Sequence, residues 1–291
     1  MEKEEFLQKI SKLNVWRKND DRAPHKPLVL LFALGKIQNE QMQAFRFEEV
    51  EDSLEKLLID FGPPRKSNHP EQPFVRLKND GVWKITKPVP SASISKRFLR
   101  QENIGGGFTD EAYQLLLAHP ELVQEAAYTL LNLHFPDTFH EDILEAVGLD
   151  FSNFSMQRKK RDPKFRDKIL RAYGYSCAVC GFNVRLGHTL VGIEAAHIKW
   201  HQAGGPDVEE NGIALCSLHH KLFDRGVFTL NPERILIVSE EAHGTSGFEE
   251  WLMKYHSKPI SKPISQYYEP DQSFLSWHVK EVFKGPERYI Y

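Results

Sequence analysis

Cys177-Ala178-Val179-Cys180, Glu194-Ala195-Ala196-His197-Ile198, Asn211 and Leu215-Cys216-Ser217-Leu218-His219-His220 decide what the second half of this chain folds around. All three cysteines of the protein lie in this stretch. A C-x2-C pair followed by a C-x2-H pair supplies three thiolates and one imidazole, the ligand set and spacing of a closed tetrahedral Zn2+ site. Cys177, Cys180, Cys216 and His219 are therefore the expected structural zinc ligands. An odd number of cysteines leaves a remainder in any disulfide framework, so the thiols are expected as metal ligands in a reducing, cytoplasmic compartment. His219 and His220 are neighbours, and on a helix adjacent side chains diverge by about 100 degrees. One can face zinc while the other faces a second site; the alternative that both serve one site stays open.

A second set threads through the first: His197, then Asn211, then His220. That order resembles the HNH nuclease motif, and the resemblance runs over roughly residues 163–239. It implies a ββα-metal unit holding one divalent cation, Mg2+ or Mn2+, and metal-dependent hydrolysis of DNA. By this resemblance His197 is the general base, an imidazole with an unperturbed pKa near 6.5 that can take a proton from water. His220 is the cation ligand, and Asn211 either ligates the cation or fixes the loop and orients His197. Many such proteins carry an Asp or His cation ligand directly before the base, where this chain has Ala196. Glu194, two residues back, is the weaker substitute, expected to point to the wrong side.

With 291 residues, two domains are expected, each large enough to bury a core. A 41% hydrophobic and 27% charged composition is that of a water-soluble globular protein. The longest apolar run, Leu28 to Leu34, is too short to span a bilayer. No membrane association and no secretory leader are expected, the chain opening Met-Glu-Lys-Glu-Glu. The net charge of -2 conceals two basic stretches. Nine basic residues face three acidic ones between Asp60 and Arg100, and seven face two between Phe154 and Leu170. Such excesses suit a phosphate backbone.

The fold class expected is α+β: a mainly helical first domain with a β-hairpin over 1–150, a linker at 151–162, and the zinc-stapled ββα-metal domain over 163–291. Phe6, Ile10 and Leu13 mark one helix and the Val50, Leu54, Leu57, Leu58, Phe61 stripe another. Between them Pro27 suits the first turn of a buried helix, with His25 and Lys26 left at its mouth, where an anion is favoured. A turn is expected at Asn19 to Asp21. Phe74 to Thr86 alternates around Asp80-Gly81 and reads as a hairpin. Gly105-Gly106-Gly107 reads as a flexible turn. Thr189 to His197 reads as one strand, and the aromatic tail from Phe248 is expected to pack back on the second domain.

The blocks Pro24-His25-Lys26-Pro27-Leu28-Val29-Leu30-Leu31 and Gln72-Pro73-Phe74-Val75-Arg76-Leu77-Lys78-Asn79-Asp80-Gly81-Val82-Trp83 resemble the sulfur-binding domain upstream of HNH modules in phosphorothioate-dependent type IV restriction endonucleases. The second half is similar to the same enzymes at Gly205-Pro206-Asp207, Asn211-Gly212 and Leu222-Phe223-Asp224-Arg225-Gly226. The resemblance implies double-stranded DNA bearing phosphorothioate as partner and restriction of modified DNA as role. It places Pro73 and Phe74 at the sulfur, His25 and Lys26 on the charged oxygens, and Arg76 in support. A poorly hydrated, polarisable sulfur loses less than oxygen when set against apolar carbon. A homodimer would supply the second active site that a double-strand break needs. The competing expectations are an HNH endonuclease reading a methylated base and a zinc-stapled DNA-binding regulator without cleavage.

Overall fold

The computed structural model describes residues 1–15, 23–150 and 163–288. The turn expected at Asn19 to Asp21 and the linker at 151–162 with its basic run lie outside the described residues. The chain divides into two compact units, Met1–Gln157 and Arg158–Tyr291.

The first unit is built from α1 (Lys3–Ser11), α2 (His25–Glu40), β1 (Ala44–Arg46), α3 (Phe47–Phe61), α4 (Glu71–Arg76), β2 (Trp83–Ile85), α5 (Lys96–Gln101), β3 (Gly105–Phe108), α6 (Asp110–Ala118), α7 (Pro120–His134) and α8 (Asp137–Val147). Helix α2 is apolar on every side from Pro27 to Gly35, as a helix must be when it is buried all round. It packs against α3, α4, α7 and α8. The stripes read on α1 and α3 are the buried ones, Phe6 and Ile10 on the first and Val50, Leu54, Leu57, Leu58 and Phe61 on the second. Glu49 accepts from the Arg46 backbone N–H at 3.0 Å and so helps to close the N-terminus of α3.

Two readings of this unit are corrected. The hairpin expected from Phe74 to Thr86 is instead α4, a 3-10 turn over Leu77–Asp80, and β2. Pro73 sits comfortably in the first turn of α4, and Gly81, at φ 75°, reverses the chain after the 3-10 turn. Phe74 is 0% exposed, its ring 5.2 Å from that of Phe47 and 5.7 Å from that of Trp83, so long-range aromatic packing overrides the local alternation. Gly105-Gly106-Gly107 is not a flexible turn. It forms most of β3, the central strand of an antiparallel sheet ordered β1-β3-β2, with Gly106 opposite both Phe45 and Ile85. A Cβ on Gly107 would come within 2.0 Å of the Gln43 carbonyl oxygen, and one on Gly106 within 2.9 Å of the Phe74 ring. The glycines admit close approach from both sides of the strand.

The second unit runs α9 (Pro163–Ala172), β4 (Val184–Leu186), β5 (Thr189–Val191), β6 (Ile193–His197), β7 (Gly212–Cys216), α10 (Ser217–Asp224), β8 (Phe228–Leu230), β9 (Leu236–Val238), α11 (Ser246–Trp251) and α12 (Gln272–Glu281). The single strand expected from Thr189 to His197 breaks at Gly192, whose φ is 70°. Its first part pairs with β4 and its second with β7. The β6–β7 register sets Ile193 opposite Cys216 and His197 opposite Gly212. Helix α9 packs on this hairpin through Phe165 and Ile169, whose side chains leave no room for a Cβ at Gly212. The tail returns to the same core through Leu252, Ile260 and Leu275. Trp251 itself is exposed, while Trp277 and Phe283 are buried.

Candidate functional site

The four zinc candidates come from three places: the turn after α9 brings Cys177 and Cys180, the end of β7 brings Cys216, and the first turns of α10 bring His219. Among the described residues this is the one set of three or more His, Cys, Asp or Glu side chains that converges, with all four donor atoms within 4.8 Å of one another. A tetrahedral Zn2+ with bonds to sulfur of about 2.3 Å separates two sulfurs by about 3.8 Å. Cys180 Sγ and Cys216 Sγ are 3.9 Å apart, Cys177 Sγ and His219 Nδ1 3.7 Å, and Cys216 Sγ and His219 Nδ1 3.1 Å. The second ring nitrogen of His219 donates to the Trp251 carbonyl at 2.9 Å, which leaves Nδ1 as the donor to a metal. Burial opposes a charge on this imidazole, yet the three sulfurs push its pKa up to about 12. Three sulfurs and one imidazole nitrogen at these separations fit Zn2+.

His197 closes β6 on the side facing α9. Its ring stacks on Phe165 with centroids 4.0 Å apart and planes 13° from parallel, and its Nε2 lies 2.7 Å from Asp207 Oδ1. An ionised carboxylate only accepts, so Nε2 carries the proton and the tautomer is fixed.

Asn211, given two alternative roles from sequence, is held by backbone groups on the loop after β6. The side chain is buried, with Oδ1 accepting from the Lys199 N–H at 2.8 Å and Nδ2 donating to the carbonyls of Lys199 at 3.0 Å and Pro206 at 2.9 Å. It braces the 198–211 loop, which carries Asp207, against the end of β6. Asn211→Ala leaves those loop groups unpaired and is expected to cost on the order of 3 kcal/mol. The urea midpoint should fall with zinc content unchanged, and an unshifted midpoint would contradict the bracing role.

His220 lies on α10, buried, against the face of β6 opposite to His197. Its Nδ1 is 2.6 Å from Glu194 Oε2 and its Nε2 3.2 Å from Asp224 Oδ2. Burial opposes its charge, but the Asp224 carboxylate and then that of Glu194 push its pKa up to about 9. Glu194 thus points at His220, contrary to the expectation from sequence: strand alternation puts it on the same face as Ala196.

The residues expected to read DNA are divided by burial. His25 and Lys26 open α2, and Lys26 Nζ is 2.5 Å from the buried Asp80 Oδ2, an ion pair that ties the helix mouth to the 3-10 turn. Arg76 is exposed, steadied by Gln72 Oε1 at 3.1 Å. Pro73 and Phe74 are both buried, so the sulfur seat expected there is not at the surface. The basic excess is also partly spent within the unit. Lys84 pairs with Asp110 at 2.6 Å, Lys96 with Glu55 at 2.6 Å and Arg100 with Glu51 at 2.7 Å, and Arg100 holds the Glu51 carboxyl below the usual carboxylate range.

A family model described as the ScoMcrA-like DNA sulfur-binding domain matches residues 3–152, just over half of the chain. The chain belongs to this ScoMcrA-like family. A second model, described as HNH endonuclease, matches residues 177–231, from the first zinc cysteine past β8. A DNA sulfur-binding domain ahead of an HNH module is the organisation of a modification-dependent restriction endonuclease, and this ScoMcrA-like chain has it. No curated protein matches the chain. Among solved structures, the sulfur-binding domain of ScoMcrA complexed with phosphorothioated DNA is 21% identical with a TM-score of 0.43, over 50% of this chain and 95% of that one. The sulfur-binding domain of SprMcrA, likewise complexed with phosphorothioated DNA, is 21% identical with a TM-score of 0.44, over 51% and 95%. The type IV phosphorothioation-dependent restriction endonuclease ScoMcrA is 22% identical with a TM-score of 0.40, over 58% of this chain and 33% of that one.

Three residues of this ScoMcrA-like chain escaped the reading from sequence. Asp207 and Asp224 carried no assigned role, although Asp224 stands four residues after His220, where a helix brings side chains together. His69 lies beside α4, its Nε2 2.9 Å from Ser67 Oγ and its Nδ1 3.1 Å from Glu71 Oε1. No motif marks it; only the spacing of Ser67, His69 and Glu71 at the entry to α4 could have drawn attention.

Proposed function

We propose that this chain recognises double-stranded DNA carrying a backbone phosphorothioate and hydrolyses a phosphodiester bond nearby, so that modified foreign DNA is cut. The observation that carries the reading is the coincidence of the HNH match with a histidine held by a carboxylate, His197 against Asp207 at 2.7 Å, at the end of β6. Asp207 holds the proton on Nε2 and steadies the imidazolium that forms when His197 takes a proton from water. The water oxygen then bonds to phosphorus as the ester oxygen departs. Phe165 fixes the ring plane, and Asn211 fixes the loop that delivers Asp207. His220 would hold the catalytic cation, Mg2+ or Mn2+, which would supply charge stabilisation at the scissile phosphate and the leaving oxygen. The zinc keeps α10 and the β6–β7 hairpin together and takes no part in the chemistry.

For the reader, His25 and Lys26 at the mouth of α2, the latter sharing its charge with Asp80, and Arg76 on the neighbouring α4 are the groups assigned to the modified phosphate. Pro73 and Phe74 support that surface from beneath. The site of action is the cytoplasm, where the three thiols remain reduced; no helix among the described residues is long and apolar enough to cross a membrane. Two copies supply two cuts. Binding tests the reader: fluorescence anisotropy on one duplex, unmodified, phosphorothioated or cytosine-methylated, in several base contexts. Preference for the sulfur-bearing duplex supports the reading; preference for the methylated one replaces the reader.

A further inference from the structure

The strand position before the general base is Ala196, which offers no donor, so the chain must find its second protein ligand for the catalytic cation elsewhere. Residues 194 and 196 leave β6 on the same face, the one against α10. Glu194 Oε2 lies 2.6 Å from His220 Nδ1, and Glu194 Oε1 accepts from Ser217 Oγ at 2.8 Å. On the far side of the same ring, Nε2 is 3.2 Å from Asp224 Oδ2, while Asp224 Oδ1 accepts from Trp200 Nε1 at 3.0 Å. The two carboxylates differ in access: the Glu194 side chain is 42% exposed and that of Asp224 3%. Both carboxylates are engaged through both oxygens, and that of Glu194 is the one open to solvent.

We propose that Glu194 replaces the missing carboxylate at position 196, and that the divalent cation is held between its carboxylate and His220 Nδ1. Asp224, fixed by Trp200, accepts from Nε2–H and selects the ring tautomer. A neutral imidazole has one N–H and one lone pair. With Asp224 on Nε2–H, Nδ1, 2.6 Å from Glu194 Oε2, is the nitrogen that a cation can claim; where no cation is bound, a proton joins the two atoms, and the metal displaces it. A cation satisfies both, and Asp224 behind the ring raises the basicity of its ligand. Glu194 and His220 are the two protein donors; water and the DNA phosphate complete the coordination shell, as suits Mg2+ or Mn2+.

The role given to this site rests on the nuclease reading above, whereas its existence does not, and the test separates them. Mn2+ is titrated into the full zinc-loaded chain and followed by electron paramagnetic resonance, with DNA cleavage measured on the same preparations. The variants are Glu194→Gln, which keeps shape at a half-exposed position, and Glu194→Asp; zinc content and melting temperature check the fold. Wild type should bind one Mn2+, Glu194→Gln should weaken it at least tenfold, and Glu194→Asp should recover part of the loss. Absence of Mn2+ binding by wild type, or binding by Glu194→Gln within twofold of wild type, overturns the site. Normal cutting by a Glu194→Gln variant that also binds Mn2+ normally leaves the nuclease reading standing and removes only this site. Glutamate-dependent Mn2+ binding by a chain that cuts no DNA supports the site and removes the nuclease reading.

Discussion

His197→Ala lowers the single-turnover rate of DNA cleavage by on the order of a thousandfold, the middle of the range for a lost general base, with DNA affinity and zinc content unchanged. The size of the effect follows from what the ring does. In the proposed mechanism it alone accepts the proton of the attacking water, and the contacts at 4.0 Å to Phe165 and 2.7 Å to Asp207 hold it in one plane and one tautomer. Asp207→Asn should give a smaller loss, because the imidazole remains stacked on Phe165 but its tautomer is no longer enforced. Both rates are measured with enzyme in excess over a labelled duplex and Mn2+ present, so that product release does not mask the chemical step. Cutting by His197→Ala at the wild-type rate would remove this residue from the mechanism.

Cys177→Ser empties the zinc site and unfolds the second unit. The apparent binding energy of structural zinc in small peptides is about 10–16 kcal/mol at neutral pH, as large as the whole stability of a typical domain, about 5–15 kcal/mol. A zinc held by the four ligands would join the turn after α9, the end of β7 and the start of α10, the last of which carries His220. Zinc content by atomic emission and a calorimetric scan should show the metal lost together with the transition of the second unit, while that of the Met1–Gln157 unit persists. Full zinc content and an unchanged melting temperature in Cys177→Ser would contradict the ligand set.

The zinc cluster was legible because a metal constrains spacing along the chain, and Cys-x2-Cys and Cys-x2-His survive folding unchanged. The helices were legible wherever a stripe of apolar residues met one core, as at Phe6 and Ile10. The reading failed where distant partners decide. Phe74-Val75-Arg76-Leu77 alternates like a strand, but Phe47 and Trp83 claim Phe74 for an aromatic cluster that a short helix can reach. Gly105 to Gly107 has no side chains with which to announce a strand, and its requirement for glycine lies in the backbone of Gln43 and Ala44 and in the ring of Phe74. In the site, the absence of a donor at Ala196 was visible, but its substitute was not, because Glu194 meets His220 across 26 residues of chain. Charge counting likewise overstated the basic surface, since Lys84, Lys96 and Arg100 have partners far along the sequence.

The central claim joins a sulfur reader to an HNH nuclease, and cleavage of one duplex in three forms tests it most directly. The forms are unmodified, bearing a single backbone phosphorothioate of defined stereochemistry, and cytosine-methylated, each in several flanking sequences with Mg2+ or Mn2+ supplied. Cutting confined to the sulfur-bearing duplex is the result expected. Cutting of the methylated or unmodified duplex at the same rate, or of none of them, would contradict the account.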